Sequence, residues 1–215
     1  MKRRTFFTDF AKNANRPAAS QGPKYYTNAV LRTQDNKEVR FYDDLIKGKH
    51  VVINFMYANC EGSCPVITST LLKVKAALGD HGKDISFISI SLKPEEDNPA
   101  ALKEYAEMHG VKSDWTFLTG DPHDITTLRF RLSRWNHPGF DLNATQHTTM
   151  LRVINDSINR WAGCSALASV ETIKQVIKWA DPPKSYEESL RRNAKIQARI
   201  DKMDILPTWL GSLAE

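Results

Sequence analysis

The 215-residue chain predicts an α/β fold in which a mixed central sheet is flanked by helices, with an N-terminal hairpin ahead of it and a helical extension behind. Three observations lead there. Short apolar runs such as Val51-Val52-Ile53-Asn54-Phe55-Met56 read as strands buried on both faces. Segments with apolar residues three and four apart follow them and read as helices with one buried stripe. Strands and helices alternate through the middle of the chain and an antiparallel pair closes the series, which makes the sheet mixed.

Each element has its own justification. A hairpin over about residues 27–42 turns at Gln34-Asp35-Asn36-Lys37. The strand at 51–56 gives way to Asn59-Cys60-Glu61-Gly62-Ser63-Cys64-Pro65, and Pro65 suits the first turn of a helix. Ile67, Leu71, Val74 and Leu78 form that helix's apolar stripe, and Gly79 offers a left-handed cap. A strand is expected over 85–92, a helix over about 100–109, a short strand at 116–118 and a helix over about 124–132. Thr148 to Ile154 reads as a strand ending at the Asn155-Asp156-Ser157 turn. Residues 159–163 return as the second strand of a hairpin, and a helix over about 170–180 ends the domain.

The chemistry concentrates in the loop with two thiols. Backbone N–H groups and the positive end of the helix dipole favour a thiolate at Cys64, and Cys60 folds back over the same helix end. Three intervening residues, including Gly62 and Ser63, let the sulfurs open around an ion more readily than a C-x-x-C loop does. Two thiolates bind a soft metal or enter disulfide exchange; a structural disulfide or a pair of idle thiols is the plainer alternative.

Phe55-Met56-Tyr57-Ala58-Asn59-Cys60-Glu61-Gly62-Ser63-Cys64-Pro65 resembles the aromatic-rich strand end and C-x-x-x-C-P signature of the Sco/SenC family. Residues 87–99, ending Lys93-Pro94-Glu95-Glu96-Asp97-Asn98-Pro99, are similar to that family's strand and D-P-x-x-D-x-P turn. Trp115-Thr116-Phe117-Leu118-Thr119-Gly120 resembles its W-x-F-L-T-G strand, and His147-Thr148 stands where the family carries a metal-binding histidine. The resemblance covers about residues 25–181. It implies a thioredoxin-like fold and a copper chaperone for cytochrome c oxidase, with Cys60, Cys64 and His147 as the metal ligands and Cys60 and Cys64 as a redox pair. Soft thiolates select Cu(I), imidazole also suits Cu(II), and two sulfurs with one nitrogen hold either form with positions left open for exchange. The implied partners are a copper-accepting respiratory protein and a thiol reductant. The alternative function is that of a thiol-disulfide oxidoreductase acting on cysteines of a copper-site partner, for which His147 is dispensable.

Two positions depart from the family pattern. Gln146 stands where an aspartate usually precedes the histidine, and Lys93 replaces the first aspartate of the acidic turn. The first removes a carboxylate that orients the imidazole; the second reverses a charge beside the site. Among the other histidines, His81 and His109 read as helix-end residues, His123 as first-turn composition, and His50 has no evident partner. His137 lies in the loop leading to His147, where a plain loop role and a place beside the metal are both open. Cys164 reads as a small buried residue, with a resolving or intermolecular thiol as the alternative.

With 41% hydrophobic and 26% charged residues the composition is that of a soluble globular protein, and no internal repeat is evident. The net charge of +5 is spread along the chain without a nucleic-acid motif, which argues against nucleic acid and for acidic protein partners or anionic lipid. Residues 1–24 form an N-terminal segment whose Lys2-Arg3-Arg4-Thr5-Phe6-Phe7 resembles a twin-arginine export signal without its apolar core. The expected location is therefore extracytoplasmic, facing the periplasm, with any membrane tether in a segment absent from the sequence. A third region, 182–215, reads as a helical tail with Trp209 and Leu210 near its end, packed on the parent domain or docking to a partner.

Overall fold

The computed structural model describes residues 22–111, 114–133 and 149–182, with 191 and 194. The chain divides into two units, Met1–Asp181 and Pro182–Glu215. In the second, Arg191 and Ala194 are helical and exposed. Everything below concerns the first.

Seven strands form one sheet: β1 (Val30–Thr33), β2 (Glu38–Arg40), β3 (His50–Met56), β4 (Ile85–Ser91), β5 (Trp115–Gly120), β6 (Met150–Asn155) and β7 (Arg160–Ser165), in the order β2-β1-β5-β4-β3-β6-β7. The centre, β5-β4-β3, is parallel, while β1 on one side and β6 and β7 on the other run antiparallel. The mixed α/β sheet expected from the sequence is therefore the one observed. Helices α1 (Gly22–Tyr26), α2 (Ser63–Leu78), α3 (Pro99–Met108), α4 (Pro122–Ser133) and α5 (Val170–Trp179) flank it.

Alternation along β3 explains why it sits at the centre. Val52 and Met56 join the core under α2, α3 and α5 with Ile67, Leu71, Val74, Leu102, Ile173 and Ile177. Val51, Ile53 and Phe55 point to the opposite core, with Leu128 and Leu132 of α4 and with Tyr26 and Phe41. A strand apolar on both faces is stable only between two covering layers. The polar exceptions are matched: Ser89 Oγ donates to Asn54 Oδ1 at 2.7 Å and accepts from Trp115 Nε1 at 2.9 Å, a ladder across three buried strands.

The boundaries differ from the expected ones where local chemistry intervenes. The hairpin strands are shorter, because Phe41–Ile46 winds into a π-helical turn that buries Phe41, Tyr42 and Ile46. Gly79 has φ 58 and ψ −133, so it ends α2 outside the αL region and the chain continues as a 3-10 turn, Gly79–Asp84. The short strand expected at 116–118 extends over six residues of β5. A Cβ at Gly163 of β7 would displace the Arg152 guanidinium, which packs over this glycine.

Candidate metal centre

The buried β3 delivers the cysteine loop to one end of the sheet, where α2 starts at Ser63 with Gly62 as its N-cap. Cys60 precedes the helix and Cys64 lies in its first turn; both side chains are buried and both are free thiols. Burial pushes the Cys60 thiol up, but hydrogen bonds to its sulfur from the Cys64 thiol, the Cys64 and Gly62 N–H groups and the Tyr57 hydroxyl outweigh it, and the net shift is down. Cys64 is pushed up to about 12, first by burial and then by sharing its proton with Cys60, against one N–H from Tyr57.

The helix dipole is expected to favour a thiolate at Cys64 and at Cys60; the two thiols are instead shifted in opposite directions, Cys60 ionising more readily and Cys64 holding its proton. The reason is depth: Cys64 packs into the core with Ile67 and Tyr105, while the converging N–H groups are spent on Cys60. Tyr105 lies on the inner side of the pair, its hydroxyl 2.9 Å from Thr68 Oγ1.

Tyr57, which the sequence did not single out, shapes the rim together with Lys93. Tyr57 reaches Cys60 with its hydroxyl, and Lys93 Nζ sits 4.8 Å above the Tyr57 ring while pairing with Glu96 at 3.2 Å. The reversed charge at Lys93 is thus beside the site and partly answered by Glu96. Asp97 is 1% exposed; its carboxylate accepts from the Ala58 N–H at 3.1 and 3.2 Å and from Ser91 Oγ at 2.5 Å. Burial holds that carboxyl above its usual range, against the Ser91 hydroxyl and the Ala58 N–H. Its sequence signals were the second aspartate of the D-P-x-x-D-x-P turn that residues 93–99 resemble and its place before a proline-led helix.

His147, His137 and Gln146 lie outside the described residues. β6 does enter at the thiol end of the sheet: it runs antiparallel to β3 with Ile53 opposite Arg152, so its first residue, Met150, lies toward the end where β3 releases the cysteine loop. Cys164 pairs with Leu151 in β7, half-buried against the same core as Cys60 and Cys64; burial pushes its thiol up, opposed by the Arg152 guanidinium.

The remaining histidines sit elsewhere. His50, expected to lack a partner, has Nδ1 3.3 Å from Asp181, and His81 Nε2 is 3.1 Å from the other oxygen of the same carboxylate. This cluster is at the end of β3 remote from the thiols. His109 packs against Tyr105 with ring centroids 4.3 Å apart and the planes tilted by 50°. His123 belongs to a trio with Asp121 and Asp124 at the start of α4, where Asp121 Oδ1 accepts the His123 N–H as a cap.

The family model described as SCO1/SenC matches residues 21–180. The SCO1 protein homolog of Bacillus subtilis (strain 168) is 34% identical over 92 residues, 42% of this chain and 47% of the relative, so the matched stretch spans about half that protein's length. The structure of Bradyrhizobium japonicum ScoI with copper bound is 25% identical with a TM-score of 0.56, over 76% of this chain and 100% of that one. BsSco, described with a disulfide switch and as a member of the Sco family of cytochrome c oxidase assembly proteins, shares the fold at 21% identity and a TM-score of 0.60, over 77% and 96% of the two chains.

Proposed function

The chain belongs to the SCO1/SenC family, and we propose from this that it binds one copper ion through Cys60, Cys64 and His147 and delivers it to a respiratory copper enzyme such as cytochrome c oxidase. The observation that carries the reading is the pair of buried thiols in hydrogen-bond contact at the start of α2. Cys60 supplies the more readily formed thiolate, and binding displaces the proton that Cys64 holds. The entry of β6 at the same end supports His147 as the third ligand. Copper leaves when thiolates or imidazoles of the acceptor replace these ligands one at a time.

Redox state controls loading in this account. When Cys60 and Cys64 form a disulfide, two electrons and two protons pass to an oxidant and both sulfur ligands are lost. A thiol reductant reverses the step. In this account the domain that performs this is 25–181, acting outside the cytoplasm on the periplasmic side. Among the described residues no helix is long and apolar enough to cross a membrane.

A second reading draws on the opposed shifts of the two thiols. Cys60 as thiolate attacks a disulfide of a copper-site partner, and Cys64, keeping its proton until needed, resolves the mixed disulfide. Anaerobic titration of the reduced protein with Cu(I) and with Cu(II) separates the two. One equivalent bound by wild type, lost in the Cys60→Ser/Cys64→Ser double variant and weakened in His147→Ala, supports copper binding. Absence of stoichiometric copper binding by wild type rejects it in favour of dithiol exchange.

A further inference from the structure

Asp97 sits at a junction that the proposed copper chemistry does not use. It comes from the turn after β4, yet its buried carboxylate spans to the cysteine loop, taking the Ala58 N–H with both oxygens while Ser91 Oγ donates to one of them. Its own turn is closed by Asp97 N–H to Lys93 O at 2.8 Å, and Ser91 Oγ accepts from the Lys93 N–H at 3.0 Å. The carboxylate is therefore anchored from behind before it reaches Ala58. Ala58 is two residues before Cys60, where the chain has left the sheet and has no ladder partner to fix it.

We propose that Asp97 is a positioning residue that braces the cysteine loop: by holding the Ala58 N–H it fixes where the loop leaves β3, and so keeps Cys60 over the helix end beside Cys64. Without the brace the loop loses its hold at Ala58, where it leaves β3, and the two sulfurs meet less often. Two thiols that meet less often close a disulfide less favourably and chelate a metal less tightly. The first consequence concerns the thiols alone; the second rests on the copper reading above.

The test compares Asp97→Ala, which removes the acceptor, with Asp97→Asn, whose amide oxygen still reaches Ala58, and with Ser91→Ala, which leaves the Ala58 contact in place. Each folded protein is equilibrated with a dithiothreitol buffer, so that two electrons and two protons pass between that dithiol and the Cys60–Cys64 disulfide. Asp97→Ala is expected to make the disulfide about tenfold easier to reduce, about 30 mV for a two-electron couple, with Asp97→Asn and Ser91→Ala within about twofold of wild type. Cu(I) affinity of Asp97→Ala is expected to fall by a similar factor, about tenfold.

Hydrogen exchange on the reduced, metal-free wild type makes the test independent of whether Asp97→Ala folds. The Ala58 amide is expected to exchange more slowly than that of Glu61, exposed in the same loop. An Ala58 amide as open as Glu61, or a folded Asp97→Ala with wild-type potential, overturns the brace. Failure of wild type to bind copper while the potential shifts as stated overturns the copper reading and leaves the brace standing.

Discussion

Cys64 donates its thiol hydrogen to the sulfur of Cys60, and the two thiols of this pair are shifted in opposite directions. Cys60 is drawn toward thiolate by N–H groups and the Tyr57 hydroxyl, and Cys64 is held as the thiol by burial. The thiolate is the nucleophile. Limited alkylation of the reduced protein near neutral pH is therefore expected to modify Cys60 first, read by peptide mass spectrometry. Equal labelling, or Cys64 first, contradicts the assignment.

Tyr57→Phe removes the hydroxyl that reaches Cys60 without changing the ring under Lys93. The Cys60 thiolate then loses one donor and becomes harder to form. Its pKa is expected to rise, with alkylation near neutral pH slowing. The ultraviolet absorbance of the thiolate, followed against pH, reads the direction, and a titration unchanged in Tyr57→Phe contradicts the contact.

The His50–Asp181–His81 cluster predicts how stability depends on pH. Burial lowers the His50 pKa from 6.5; the Asp181 carboxylate opposes that shift and His81 reinforces it. As pH falls below 6.5 the unfolded chain takes up a proton that folded His50 resists, so the stability present above that value declines. The decline levels off once pH passes below the folded-state value. Urea unfolding across this range is expected to show the decline in wild type and a shallower one in His50→Leu.

Ser89→Ala breaks the ladder across β3, β4 and β5 at its middle. It leaves Asn54 Oδ1 and Trp115 Nε1 without their observed partner inside the sheet. Each orphaned buried group costs about 1–3 kcal/mol, so a loss of roughly 2–5 kcal/mol in unfolding free energy is expected. Denaturant titration checks it, and a change near zero shows that the ladder carries no net stability.

How far the sequence revealed this arrangement depends on the residue. β3, the thiol loop and α2 were legible because two-faced apolarity, Pro65 and the stripe from Ile67 to Leu78 are local signals. The ordering of the two thiols was not, since it follows from how deeply Cys64 is buried, which the dipole argument leaves out. Asp97 was hidden in the charged run Lys93 to Asp97, where nothing local shows that Ser91 and Ala58 converge on one carboxylate. The partners of His50 and His81 come from the far end of α5, and only the folded topology brings Asp181 between them. His147 itself lies outside the described residues; the family pattern and its place just before β6 in the sequence are what point to it.

X-ray absorption at the copper edge of the protein loaded with one equivalent of Cu(I), alongside His147→Ala, tests the central claim most directly. The account predicts two sulfur ligands and one nitrogen in wild type, with the nitrogen lost and both sulfurs kept in the variant. A ligand set unchanged by removing His147, or one with three sulfurs that includes Cys164, contradicts it.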